Sequence, residues 1–165
     1  MSHAWRQTFS VSNVKWRGGL AQALVHAVPE AARASTFFWM DIFCVNQHLK
    51  SRYGGLLAFA FDPLRNAILR CEKVMMFFET WDDPAPLSRV WCLNELRIAL
   101  LLGKEVEVIM PPQALASFRV AAEENKQGVL ADIERVVSRI AIEHASATFR
   151  ADRSAVLARS VLRDY

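Results

Sequence analysis

Ser88-Arg89-Val90-Trp91-Cys92-Leu93-Asn94-Glu95-Leu96 lies between two apolar stretches, Val74-Met75-Met76-Phe77-Phe78 before it and Val106, Val108 and Met110 after it. The first stretch, within Lys73 to Glu79, is a short continuous apolar run and predicts a buried strand. Thr80 to Leu87 carries two prolines and two aspartates, so it predicts a loop. Ser88 then suits an N-cap and Gly103 a C-cap for a helix over Arg89 to Leu102. Val106, Val108 and Met110 alternate as in a second strand, which Pro111-Pro112 closes. Strand, helix, strand is the unit of a parallel sheet, and strands apolar on both sides are expected where helices cover both faces.

The rest of the chain extends the same alternation. Leu20, Leu24 and Val28 recur at helical spacing, and Pro29 stops them. Thr36 to Val45 is aromatic and β-branched, and predicts a strand with Phe37 to Cys44 buried. Asn46 to Gly55 is polar, ends in two glycines and predicts a loop. Leu56 to Arg70 predicts a broken helical stretch whose second half starts near Pro63. Gln113 to Arg139 predicts a helix broken near Gly128, with Leu130, Ile133 and Val137 as its apolar positions. Ile140 and Ile142 suit the start of a short strand, and Asp152 to Leu162 a final helix.

Composition bounds the class. The 165 residues fit one domain spanning 1–165, and 53% hydrophobic with 22% charged residues exclude a disordered chain. Apolar runs such as Ile98 to Leu102 are far too short to span a bilayer, and no signal peptide opens the sequence. Three cysteines leave one unpaired in any disulfide scheme and form no Cys-x-x-Cys pair, which favours a reduced, cytoplasmic protein. The net charge of +3 is mild and its basic residues are scattered, so no nucleic-acid partner and no membrane partner is implied. Cys44 and His48 are four apart, but no other Cys/His cluster completes a metal site. Dinucleotide-binding, phosphate-loop, nucleophile-elbow and zinc-protease motifs are absent.

Glu95 is the only acid between Asp83 and Glu105. Helical positions three and four residues away hold Trp91, Cys92, Ile98 and Ala99, none of them charged. Two readings stand for it: a catalytic carboxylate beside an indole, or a solvent-facing helix residue that tolerates alanine. Cys92 reads as a small core residue. Trp91 reads either as a pocket wall or as a core aromatic.

Trp91-Cys92-Leu93-Asn94-Glu95-Leu96 resembles the Trp-Cys-Leu-x-Glu-Leu signature of TIR domains, in whose NAD-cleaving members that glutamate is catalytic. Trp39-Met40-Asp41-Ile42-Phe43-Cys44-Val45-Asn46-Gln47 is similar to the Trp-x-Asp-x-x-Cys-x-Asn-Gln signature of fungal heterokaryon-incompatibility domains, distant TIR relatives. Ser2-His3-Ala4-Trp5 is similar to the segment after the first strand of TIR-like proteins. The resemblance implies a flavodoxin-like parallel sheet with helices on both faces. It implies a signalling domain that cleaves NAD(P) as substrate, with no other cofactor, Glu95 being catalytic and Trp91, Trp39, Asp41, His3, Trp5, Arg6 and Trp81 lining the substrate site. It also implies self-association through Asn46 to Gly55, or pairing with other TIR-like domains. A non-catalytic signalling module and an inactive fragment are the alternatives. A TIR-like fold would open with a central strand ahead of Ser2, so that strand is expected to be truncated or replaced by Thr8 to Val14.

Overall fold

The computed structural model describes residues 19–39, 61–147 and 150–161. Its elements are α1 (Leu20–Ala27), α2 (Phe61–Arg70), β1 (Lys73–Phe77), α3 (Val90–Leu101), β2 (Glu105–Ile109), α4 (Pro112–Glu124), α5 (Lys126–Ser138) and α6 (Arg150–Val161). Short 3-10 turns span Glu30–Ser35 and Ala85–Ser88. The architecture is mixed α/β and mostly helical.

β1 and β2 pair in parallel, Lys73 opposite Glu105 and Phe77 opposite Ile109. Alternate residues of a strand point to opposite faces, and both faces of this pair are covered. Met75, Phe77 and Ile109 pack with Leu20 and Ala23 of α1. On the opposite face, Val74 packs with Leu64 and Ile68 of α2 and Ala99 of α3, and Val106 borders them. All of β1 beyond Lys73 is buried, as its unbroken apolar run predicts.

β2 departs from the expectation that residues 106–110 are buried. Only Ile109 of this strand is buried, while Val108 is 44% exposed. The sequence differs in kind as well: β2 alternates glutamates with its apolar residues, and Glu105 is exposed and Glu107 half-buried. Residues 36–39, the described part of the predicted strand from Thr36, join no strand, and Phe37 is 91% exposed. Aromatic content alone does not make a buried strand without a paired neighbour. Residues 40–45, the loop Asn46 to Gly55 and Thr8 to Val14 lie outside the described residues.

Helix ends account for other differences. Gly103 does what its position predicts: with φ of +63°, it follows the C-cap Leu102. Its N–H donates to Leu100 O at 3.1 Å, and the Lys104 N–H donates to Ala99 O at 2.9 Å, a Schellman ending. Ser88 does not cap α3. Its hydroxyl donates to Ala85 O at 2.9 Å and closes the 3-10 turn instead, leaving Arg89 as an N-cap without a side-chain bond. The Val90 N–H is satisfied from a distance by Ser146 O at 2.9 Å. At the end of α1, Arg33 donates to Val25 O at 2.8 Å and to Val28 O at 3.2 Å, covering carbonyls that the helix leaves open.

The long C-terminal helical segment breaks at Asn125, three residues before Gly128. The Asn125 side chain accepts from the Gly128 N–H at 2.9 Å and starts α5. A Cβ at Gly128 would stand 2.4 Å from Asn125 Nδ2, so the glycine lets the cap close in. Leu130, Ile133 and Val137 are exposed rather than core, and Val129 is the buried residue of α5. Their spacing marks an apolar helix face but does not say that a neighbour covers it. Ile140 and Ile142 fall before and within a turn, not in a strand. They pack beside Val90 and Val156, and Ser146 alone makes a parallel bridge, to Arg89.

Asn125→Ala should destabilise the fold by about 1 kcal/mol through loss of the cap, read as a shifted urea midpoint with an unchanged slope. A second expectation concerns the pair Lys73–Glu107, which lies one step diagonal in the strand register. The hydrogen bond to Glu107 raises the Lys73 pKa above 10.5; partial burial opposes, and the charges of Glu107, Glu105 and Glu72 add to the rise. A group raised in the folded state contributes stability below its unfolded pKa and loses it as pH rises through the folded one. The pair is about one-third exposed, so Glu107→Gln should cost no more than about 1 kcal/mol at neutral pH. That difference should shrink in denaturation curves taken above pH 10.5.

Candidate functional site

α3 carries the site. Val90, Cys92, Leu93, Asn94, Glu95 and Ala99 are all buried along it. Residues four apart on a helix are separated by only about 40° around its axis, so Trp91, Glu95 and Ala99 form one stripe. Trp91, Ile98, Ala99 and Leu102 pack against Leu64 and Ile68 of α2 and Val74 of β1, and Trp39 packs on the same cluster. Glu95 sits in the middle of that face and is only 8% exposed. The solvent-facing alternative for Glu95 therefore does not describe its side chain.

The structure thus assembles three of the sequence-predicted residues, Glu95, Trp91 and Trp39, around one apolar cluster. Trp81 goes elsewhere. Its ring meets Phe118 of α4 edge to face, with centroids 5.7 Å apart and planes at 66°, so it fastens the loop after β1 onto α4. Asp41, His3, Trp5 and Arg6 lie outside the described residues, as do Cys44 and His48. Cys92 is buried, as the core residue its type predicts.

Two polar residues of the site escape a reading of the sequence. Asp152 of α6 is 2% exposed, and its Oδ2 accepts the Trp91 indole Nε1–H at 3.1 Å. In sequence it reads as an ordinary acid in the first turn of a helix, favoured there by the helix dipole. Its partner is 61 residues away, and no local pattern links them. Asn94 is 4% exposed, and its Nδ2 has no hydrogen-bond partner among the described residues. A buried amide donor left in that state costs about 1–3 kcal/mol, so its place beside Glu95 on α3 is not one that packing alone selects.

Trp91 links two halves of the interior. One side packs with Val90, Leu93, Ala145 and Val156, the cluster that docks α6. The other packs with the α2 and β1 side chains around Trp39. An indole held at its nitrogen and on both sides is fixed in orientation, and it lies one helical turn from the Glu95 carboxylate. The arrangement can present a carboxylate in a low-dielectric, aromatic-walled environment, where it acts strongly on a developing positive charge.

A cavity of about 630 Å³ lies apart from this group, between α1 and the start of α4. Gln22, His26, Arg33 and Gln113 supply its polar lining, and no sequence-predicted site residue borders it. No described helix is long and apolar enough to cross a membrane. Comparison with protein-family models, curated proteins and solved structures finds no match.

The burial of Glu95 revises the cost of replacing it. Glu95→Ala should lower stability by about 1–3 kcal/mol, the range for a truncation within packed surroundings. The isosteric Glu95→Gln should stay within about 1 kcal/mol of the native chain. Urea melts of both check this. Equal, near-zero effects would mean that the side chain does not pack as described.

Proposed function

We propose that this chain is a TIR-like signalling domain that cleaves NAD(P) at the nicotinamide–ribose bond, with Glu95 as the catalytic carboxylate. The observation that carries the reading is a glutamate 8% exposed in an aromatic-bordered helix face, within a Trp-Cys-Leu-x-Glu-Leu pattern. The mixed α/β fold with its parallel β1–β2 pair supports it by agreeing with the coarse architecture that the resemblance implies.

The chemistry suits the residue. As the bond between the ribose C1′ and the nicotinamide nitrogen breaks, its electron pair leaves with nicotinamide and positive charge gathers on the ribose. A fixed carboxylate stabilises that charge, or orients the ribose hydroxyls that share it. Water then adds its oxygen to C1′ and releases one proton, giving ADP-ribose, nicotinamide and H⁺. Nicotinamide is already cationic in the substrate, so no strong general acid is needed. Trp91 and Trp39 supply the apolar wall that keeps bulk water from screening Glu95.

A second reading, a non-catalytic module that works by self-association, draws on a different observation. Leu100 and Leu101 at the end of α3, and Leu130 and Val137 on α5, are each at least half exposed. Exposed apolar side chains of this size suit contact between chains.

Incubation of the purified chain with NAD, with released nicotinamide measured by chromatography, separates the two. The native chain should release nicotinamide, and Glu95→Gln should lose at least about 100-fold in kcat while keeping its melting temperature, in line with loss of one charge-stabilising group. Turnover by Glu95→Gln at the native rate would remove Glu95 from the mechanism. A native chain inactive even at high concentration, yet sedimenting as an oligomer, would favour the association reading.

A further inference from the structure

Asp152 occupies an unusual position for an aspartate. It is 2% exposed, on the first turn of α6, and the side chain it grips belongs to another helix. One turn further along α6, Val156 is fully buried against Val90 and Leu93 of α3. The segment leading into α6 is tied to the same place: Ser146 donates through its N–H and its hydroxyl to Ser88 O at 2.8 and 3.0 Å, and accepts from the Val90 N–H at 2.9 Å. The C-terminal part of the fold therefore docks on the first turn of α3 at three levels, and Asp152 is the one that hydrogen-bonds a site residue.

An apolar side chain at position 152 would suffice for helix docking alone. Burying a carboxylate there is costly unless it has hydrogen bonds, and the bond from the Trp91 indole N–H fixes that ring to α6. That indole lies one turn before Glu95 on α3 and packs against the cluster of Leu64, Ile68, Val74 and Ala99 on the same helix face.

We propose that Asp152 is a positioning residue: by accepting the Trp91 indole N–H, it sets the aromatic wall against which the Glu95 carboxylate acts. This deepens the proposed function and rests on it, since the consequence is read in NAD cleavage. Asp152 acts through Trp91. Its effect is geometric, and a small misplacement of a site group costs up to about 100-fold in rate.

The test compares Asp152→Ala, which removes the acceptor, with Asp152→Asn, whose amide oxygen still accepts from the indole, and with Trp91→Phe, which removes the donor but keeps an aromatic ring. Asp152→Ala should lower kcat about 10-fold or more with KM within about threefold, a loss confined to the transition state. Asp152→Asn should restore kcat to within about threefold of native. Trp91→Phe should match Asp152→Ala in kcat, and adding Asp152→Asn to it should cost nothing more, because the two act as a unit. The Trp91 indole N–H resonance, assigned through Trp91→Phe, should sit downfield in the native chain and in Asp152→Asn, and should move upfield in Asp152→Ala. If Asp152→Ala does not fold, Trp91→Phe and Asp152→Asn carry the comparison. Native kcat in Trp91→Phe, or loss in Asp152→Asn equal to that in Asp152→Ala, overturns the proposal. A native chain that releases no nicotinamide removes the cleavage reading, and the indole resonance then decides the positioning claim: an unmoved resonance in the alanine variant overturns it.

Discussion

Two parallel strands cannot be joined by a tight turn. The chain leaving Phe77 must cross over the pair before it can start again at Glu105. That crossover is α3, and the rest of the described structure is arranged around it. α2 and β1 cover one side, through Leu64, Ile68 and Val74. α6 covers another, through Val156. The Schellman ending at Gly103 turns the chain sharply enough to send it into β2. The first half of this helix, Val90 to Glu95, has little solvent-facing surface on which to put polar residues. Asn94 and Glu95 are therefore buried because of where the crossover lies, not because their types favour burial.

Enclosure also changes what a polar side chain can do. An exposed carboxylate acts through water and is screened by salt beyond about 8–10 Å. The same group inside an aromatic-lined face interacts more strongly with any charge that forms nearby, and it needs no rearrangement to do so. The opposing cost is desolvation. Asn94, with its amide nitrogen unsatisfied among the described residues, adds to that cost. A stretch of one helix that buries Asn94 and Glu95 side by side is weakly optimised for stability. Natural folds tolerate such local conflict mostly where function requires it.

Elements whose signal is local were legible in the sequence. β1 follows from an uninterrupted apolar run, α3 from its helical segment and Gly103, and α1 from Leu20, Leu24 and Val28 before Pro29. What failed depended on a distant partner. Ser88 is a good cap by type, but its hydroxyl closes the preceding turn while Ser146 takes over the Val90 N–H. Leu130, Ile133 and Val137 are apolar at helical spacing, but periodicity does not reveal whether anything packs on them. The helix break near Gly128 was one cap away from its position, because Asn125 supplies the acceptor and Gly128 only the room. The candidate site divides in the same way. Glu95 and Trp91 were visible as a motif on one helix. Asp152 was not, since its meaning comes from a hydrogen bond across 61 residues of chain.

Trp91 is held on both faces and at its nitrogen. It is the side chain at which the docking of α6 and the packing of α2 and β1 meet on α3. Loosening either neighbour frees one side of the indole, while the nitrogen bond to Asp152 restrains the other. Orientation at that point is over-determined, which a mere space-filling aromatic does not require. A phenylalanine would fill most of the same volume and bury nearly as much apolar area. What it would lack is the N–H, and with it the link that makes the geometry around Glu95 depend on a helix that begins 55 residues later in the chain.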